Sequence, residues 1–201
     1  MKTRRHGFTL LELMIVMVII AVLGAAFLVV SGRLFGQAKV RQCRSRLQQL
    51  AVMIEAYRTA EGAYPDDRLP SDASTNSQNT SSEALYVAFY DPKYLGELPN
   101  EDWLVNTDGD QTSRSLTRSP SRELFEIGDP WKNPIAYFES LHYDQVLIFL
   151  AGPDEMPDEQ SVEARRGSRT GAYAEAGKFQ LLSAGEDGAF GTEDDVSHFD
   201  D

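Results

Sequence analysis

The sequence of 201 residues has a single cysteine, Cys43, so no disulfide can form within the chain. If the protein is exported, its loops must be fastened by some other means, because disulfides are the usual device in oxidising compartments. Basic residues are also scarce, with 19 Lys and Arg against 31 Asp and Glu and a formal net charge of −12. A surface of this sign repels phosphates, which argues against nucleic acid as a general partner.

Catalytic signatures are missing as well. No GxSxG or HExxH pattern occurs, and the three histidines, His6, His142 and His198, are far apart in the sequence. We therefore expect no enzyme active site. Cys43 falls on a helical apolar stripe, which predicts a small buried hydrophobe rather than a reactive thiol.

Residues 8–30 form an apolar run in which Glu12 is the only charge. A membrane-spanning helix needs about 20 such residues, whereas the core of a cleaved signal peptide has roughly 7–15. No A-x-A-type cleavage site follows the run, so we expect it to be retained as a span. Its short basic end would lie in the cytoplasm, but more basic residues follow the run than precede it, which leaves the orientation open by charge alone.

Glu12 is the unusual residue of the run, since a carboxylate in the bilayer interior costs on the order of 3 kcal/mol. It either lies near the headgroups at little cost or meets a positive charge within the membrane. A free amine at Phe8 would supply that charge if the chain were cut after Gly7.

The stretch "RRHGFTLLELMIVMVIIAVLG" resembles the leader and helix of type IV pilins and pseudopilins. The resemblance implies that a prepilin peptidase cuts between Gly7 and Phe8 and N-methylates Phe8. It also implies that Glu12 neutralises the amino terminus of a neighbouring subunit in a filament. Many members carry a proline in this helix, whereas this chain has none before Pro65, so any kink would centre on Gly24 or Gly32.

Apolar residues continue at helical spacing after the span. They recur in steps of three and four, which predicts a stem helix with one buried face ending near Ala60, capped by Gly62. The basic cluster from Arg33 to Arg46 would be a solvated face or would pair with acids of neighbouring subunits. The stripe consists of Val40, Cys43, Leu47, Leu50, Ile54 and Tyr57.

The rest of the chain predicts a small antiparallel sheet packed on the stem helix, an α+β fold. Thr80 and Glu83 resemble a capping box that opens a short helix. Strands are expected in "IAYF", in Gln145–Ala151 and in Lys178–Ala184, and polar loops at 66–80, 100–127 and 152–177.

The segment "SAGEDGAFGTEDDV", residues 183–196, combines three glycines with clustered acids, a composition that suits a hard cation. It could instead be a solvated acidic tail. "DPWKNP" followed by this loop resembles the major pseudopilin of type II secretion systems, whose loop holds calcium. That resemblance implies side-chain ligands from Asp187, Asp194 and Asp195, and carbonyl ligands from Ala184 and Thr192. The segment with Asn106, Asp108 and Asp110 is expected to be a turn, because the spacing of these residues does not fit an EF-hand, and a second cation site there is left as the alternative.

The resemblance implies a division into a cleaved leader (1–7), a membrane and polymerisation helix (8–30), a periplasmic stem (31–62) and a globular domain (63–201). The expected role is structural: a subunit of a periplasmic pseudopilus in a Gram-negative-type envelope. Its partners would be further copies of itself, minor pseudopilins, the prepilin peptidase and an inner-membrane assembly platform. The alternatives are a type IV pilin-like subunit for adhesion, motility or DNA uptake, and a monomeric membrane-anchored binding module.

Overall fold

The computed structural model describes residues 10–73, 75–152, 157–167 and 170–199, except for the side chains of 25–35. Contacts divide the chain into two units, with the boundary between Ala38 and Lys39. Helix α1, Leu10–Glu61, contributes residues to both units.

The first unit contains the amino-terminal part of α1. Its large apolar side chains are exposed, from 79% for Leu10 to 45% for Val16. Within the described part of the chain, no helix has the length and apolar character that crossing a membrane requires.

The predicted stripe on the stem helix is confirmed in the second unit. Cys43, Leu47, Leu50 and Ile54 are completely buried, and Val40 and Tyr57 pack against the same core. The helix ends at Glu61, where the N–H of Gly62 donates to the carbonyl of Arg58 at 2.8 Å. Gly62 has a φ of +84°, the left-handed cap that its position in the sequence predicted.

The expected solvated basic face is wrong for Arg46, which is buried. Its guanidinium stacks over the ring of Trp103 at 5.0 Å and donates to the carbonyl of Gly128. Burial lowers the pKa of Arg46, while the nearby carboxylate of Asp129 opposes that shift. The guanidinium is thus sequestered in the fold, whereas Lys39, Arg41 and Arg44 are exposed.

Helix α2 spans Thr80–Phe89, and its buried face packs on α1. The predicted capping box is wrong, because the residue at the N-cap is Asn79, in the left-handed conformation at φ 55°. Glu83 is fully buried instead of reaching back to the helix start. The Asn79 side chain leaves the helix and binds other segments: it accepts from the N–H of Leu150 at 2.9 Å and donates to Thr107 and Glu126.

The strands form three antiparallel sheets, β1–β2, β3–β6–β7 and β4–β5, and short 3₁₀ helices lie at Glu101–Trp103 and Ser140–His142. The strands are β1 Leu104–Val105, β2 Glu126–Ile127, β3 Ala136–Glu139, β4 Val146–Ala151, β5 Asp158–Glu163, β6 Phe179–Ser183 and β7 Val196–Ser197. Strands β3, β4 and β6 lie where the sequence predicted them.

Strand β5 lies inside the expected loop 152–177, so that expectation was wrong for Asp158–Glu163. Every residue of β5 pairs with one of β4, from Val146 opposite Glu163 to Ala151 opposite Asp158. Only Val162 of β5 is buried, because it packs with Leu147 and Phe149 in a core cluster under this sheet. Four of the other side chains of β5 are exposed, and Gln160 is half-buried and donates to the carbonyl of Gly188 at 2.8 Å. The strand therefore has no hydrophobic pattern by which the sequence could have shown it.

Candidate functional site

The amino-terminal unit carries the first candidate surface. Its exposed apolar residues run from Leu10 to Leu23, and Glu12 lies among them in the first turn of α1, also exposed. Gly7 and Phe8, where processing is predicted, lie outside the described residues. An apolar surface of this extent indicates a contact with lipid or with another protein.

The acidic carboxyl-terminal loop connects β6 to β7 and is folded tightly. Gly185, Gly188 and Gly191 adopt φ values of +70°, +68° and +89°, which residues with a Cβ adopt only at a cost. A Cβ on Gly185 would collide with the backbone carbonyl of Asp194, so the two ends of the loop touch at this point.

Asp194 organises this loop by accepting hydrogen bonds. One of its oxygens accepts from the N–H groups of Glu186 at 2.7 Å and Asp187 at 3.0 Å, and the other accepts from the hydroxyl of Thr192 at 2.5 Å. Burial works against its ionisation, but these hydrogen bonds outweigh burial and lower the pKa of Asp194. Asp194 is therefore held as a carboxylate.

Asp195 faces inward and is only half satisfied. Its Oδ2 accepts from the guanidinium of Arg165 at 2.9 Å and from the N–H of Gly191 at 2.8 Å. Its Oδ1 is buried without a hydrogen-bond partner among the described residues. That oxygen is a free acceptor of the kind a bound cation would satisfy.

Asp187 caps its own turn, where Oδ1 accepts from the N–H of Ala189 at 2.8 Å. Of the three predicted carboxylates, Asp194 accepts from the backbone of Asp187 and directly precedes Asp195. Among the described residues, however, they are not a group whose ligand oxygens lie within 4.8 Å of one another. Calcium binding by this loop, with Ala184 and Thr192 supplying carbonyls, stays a prediction.

Two other groups do bring three potential ligand atoms within 4.8 Å of one another, and the sequence analysis missed both combinations. The first is Asp66, Asp67 and His142. Asp67 is fully buried and well satisfied, because it contacts His142 Nδ1 at 2.7 Å and accepts from the N–H of Glu139 at 2.9 Å and from Gln145 at 2.8 Å. These contacts of Asp67 fasten the segment that follows α1 to the segment after β3, so the group has a structural role that requires no metal.

The second group is Glu83, Asp108 and Asp110, which we call the Glu83 cluster. Asp108 and Asp110 belong to the turn that the sequence left open as a cation site, but Asn106 is not part of the group. The Oδ1 of Asn106 accepts from the N–H of Gly109 at 2.8 Å, so its side chain caps the turn. Glu83 lies 25 positions before Asp108, and no local pattern links the two.

The model of the prokaryotic N-terminal methylation motif matches residues 2–28. Over 104 residues the chain is 32% identical to the type II secretion system core protein G of Aeromonas hydrophila, a match that covers 51% of this chain and 70% of that protein. No solved structure matches the chain significantly. The methylation motif at the amino terminus, the α+β domain and this relative agree, and the chain belongs to the family of the type II secretion system core protein G, the major pseudopilins.

Proposed function

We propose that this protein is a structural subunit of a type II secretion system. It assembles through its amino-terminal helix into a periplasmic pseudopilus that helps to drive proteins across the outer membrane. The observation that carries the proposal is the exposed apolar surface from Leu10 to Leu23, with Glu12 among its residues. Neighbouring copies would bury this surface in the filament.

Maturation comes first in this proposal. A prepilin peptidase removes residues 1–7 by cutting between Gly7 and Phe8 and then methylates the amine of Phe8. The match to the methylation motif over residues 2–28 supports this step. Before assembly, residues 8–30 anchor the subunit in the inner membrane, with the stem and the globular domain in the periplasm. The assembly platform and minor pseudopilins are its further partners.

Glu12 gives the assembly its register. A carboxylate in an apolar environment is stabilised when it pairs with a positive charge, and the methylated amine of Phe8 in the adjacent copy supplies one. Such a pair is satisfied only at one offset between neighbouring helices, so it selects that offset. The role is structural, and the proposal involves no catalytic step.

The carboxyl-terminal loop contributes stability by binding calcium through Asp187, Asp194 and Asp195, with carbonyls of Ala184 and Thr192. The buried Oδ1 of Asp195 and the carboxylate form of Asp194 support this assignment. Bound calcium would neutralise the clustered acids and fasten the loop, which a protein with one cysteine cannot do with a disulfide.

The test measures processing and secretion in the same cells. We expect mass spectrometry of the purified protein to show a chain that starts at N-methylated Phe8. In a strain that lacks the gene, the wild-type chain should restore secretion, and Glu12→Ala should be processed normally but fail to restore it. The matched control is Glu55→Ala, an acid elsewhere on α1.

A chain that begins at Met1 and stays monomeric in the membrane would refute the proposal and support a tethered binding module. Normal secretion by Glu12→Ala would refute the pairing role alone. Long surface filaments in place of restored secretion would identify a type IV pilin.

A further inference from the structure

The Glu83 cluster connects two segments that are distant in sequence. Glu83 lies in the first turn of α2, and Asp108 and Asp110 lie in the turn that follows β1. One carboxylate oxygen from each of the three residues lies within 4.8 Å of the other two. Three like charges at this separation repel strongly unless something lies between them.

Glu83 and Asp110 have carboxylate oxygens that are buried and that accept no hydrogen bond from a donor of the described fold. Glu83 is 0% exposed, and neither of its carboxylate oxygens has a hydrogen-bond partner among the described residues. Asp110 is half-buried as a residue, but both of its oxygens are inaccessible to solvent and have no hydrogen-bond partner among the described residues. Buried polar groups are nearly always satisfied, and four unpaired carboxylate oxygens in one cluster require an explanation.

A fourth acid lies beside the cluster and adds to the electrostatic repulsion. Glu126 is also fully buried and lies close enough to raise the pKa of Glu83. The oxygens of Glu126 are occupied, since they accept from Asn79 at 2.8 Å and from the N–H of Thr107 at 3.2 Å. Among the described residues, no Lys, Arg or His forms a salt bridge with any of these four acids.

Asp108 is half-buried, as Asp110 is, and its side chain is held in place by two hydrogen bonds. Its Oδ2 accepts from the side chain of Asn76 at 3.1 Å, and its Oδ1 accepts from the N–H of Asp110 at 3.3 Å. Because Asp108 is half-buried, the cluster reaches the surface of the domain at this residue.

We propose that Glu83, Asp108 and Asp110 bind a calcium ion, at a site separate from the carboxyl-terminal loop. The ligand set contains only oxygen, which favours a hard cation over zinc or copper. Two of the ligands come from an irregular turn, which suits the adaptable geometry of calcium better than the strict octahedron of magnesium. The ion fastens the turn after β1 to α2.

A proton is the competing occupant. In the protein without metal, burial, followed by repulsion from Asp110, Asp108 and Glu126, raises the pKa of Glu83 to about 10. Glu83 would then stay protonated at neutral pH and could donate to Asp110. The test must therefore distinguish calcium binding from a shared proton.

The experiment is calorimetric titration of calcium into the full-length protein in detergent after chelator treatment. Four chains are compared: wild type, Glu83→Gln, Asp187→Asn and the double variant. Gln keeps the shape of a protonated Glu and can donate to Asp110, so it preserves the shared-proton arrangement but removes a charged ligand. The control variant is Glu97→Gln, which changes an exposed acid outside both sites.

We expect Glu83→Gln to remove one calcium ion per chain, or to weaken its binding by at least about tenfold, in both the wild-type and Asp187→Asn backgrounds. Glu97→Gln should have no effect. Calcium binding that responds only to Asp187→Asn would overturn this inference and leave the proposal for the carboxyl-terminal loop standing. Equal binding of magnesium would overturn the calcium assignment.

If Glu83→Gln does not fold, the same calcium titration is made with Asp108→Asn, which changes a half-buried side chain in the turn. Loss of the same calcium ion in that variant supports the site, and unchanged binding overturns it.

Discussion

The replacement of Asn79 by Ala or Gly tests how the interior of the domain is held together. Asn79 is fully buried, and its side chain makes three hydrogen bonds to segments that follow it in sequence. It accepts from the N–H of Leu150 at 2.9 Å and donates to Thr107 Oγ1 and Glu126 Oε1, both at 2.8 Å. Its own backbone N–H donates to the carbonyl of Ile148 at 2.8 Å, a bond that either variant retains.

Both variants lose the three side-chain bonds, which are worth about 1 kcal/mol each, and leave the buried Glu126 short of a donor at a further ~1 kcal/mol. We therefore expect Asn79→Gly to lower the free energy of unfolding by about 4 kcal/mol. Asn79 also has a φ of 55°, a conformation that Gly adopts freely and that costs Ala roughly 1–2 kcal/mol. Asn79→Ala should consequently lose about 5 kcal/mol, a large part of the stability of a domain.

The measurement is urea unfolding of the full-length protein in detergent, followed by the near-ultraviolet circular dichroism of the buried aromatic residues. The Gly and Ala variants must be compared under identical conditions, because their difference isolates the backbone contribution. A Gly variant within about 1 kcal/mol of wild type would refute the side-chain network. An Ala variant as stable as the Gly variant would refute the contribution of the left-handed backbone.

Three further predictions concern other parts of the molecule. Cys43 is completely buried, and burial raises the pKa of its thiol to about 12. Alkylation of Cys43 at pH 8, measured by mass spectrometry, should therefore be slow in the folded protein and rapid in urea. Gly185→Ala should destabilise the carboxyl-terminal loop more than Gly191→Ala does, because a Cβ at 185 collides with Asp194 whereas one at 191 meets nothing within 4 Å. Thermal unfolding of both variants measures this difference. In chelator-treated protein the free energy of unfolding should fall as the pH rises between 4.5 and about 10, because the folded state keeps the Glu83 proton that the unfolded state releases. Glu83→Gln should reduce this dependence and leave the part that Glu126 contributes, since the pKa of Glu126 is also raised, to about 8.

The sequence predicted the parts of the fold that have a regular hydrophobic pattern. The stem stripe has apolar residues at helical spacing, and strands β3, β4 and β6 are short, predominantly apolar runs. Gly62 was predicted as the cap because it follows the last apolar residue of the stripe. Strand β5 lacks such a pattern, because five of its six residues are not buried and its stability comes from backbone pairing with β4. Backbone pairing leaves no signature in side-chain types.

The polar interior could not be predicted for a different reason. Thr80 and Glu83 have the spacing of a capping box, yet Glu83 is fully buried and Asn79 occupies the cap. The sequence drew attention to Asp108 and Asp110 through their alternating spacing. It gave no indication of Glu83, since the third member comes from a helix that only the tertiary fold brings close.

The buried acids of this domain differ in the hydrogen-bond donors available to them, and this difference distinguishes the Glu83 cluster from the other buried carboxylates. Asp67 contacts His142 and accepts from Gln145 and a backbone N–H, and Asp129 accepts from Ser183 and from two backbone N–H groups. Each of these acids joins segments of the chain, a role that a protein with one cysteine cannot give to disulfides. The oxygens of Glu83 and Asp110 have no donor among the described residues unless Glu83 itself is protonated. Since the fold supplies donors to Asp67 and Asp129, the partner that it does not supply to these two is either a proton shared between them or the cation proposed above, and calcium titration of Glu83→Gln distinguishes the two.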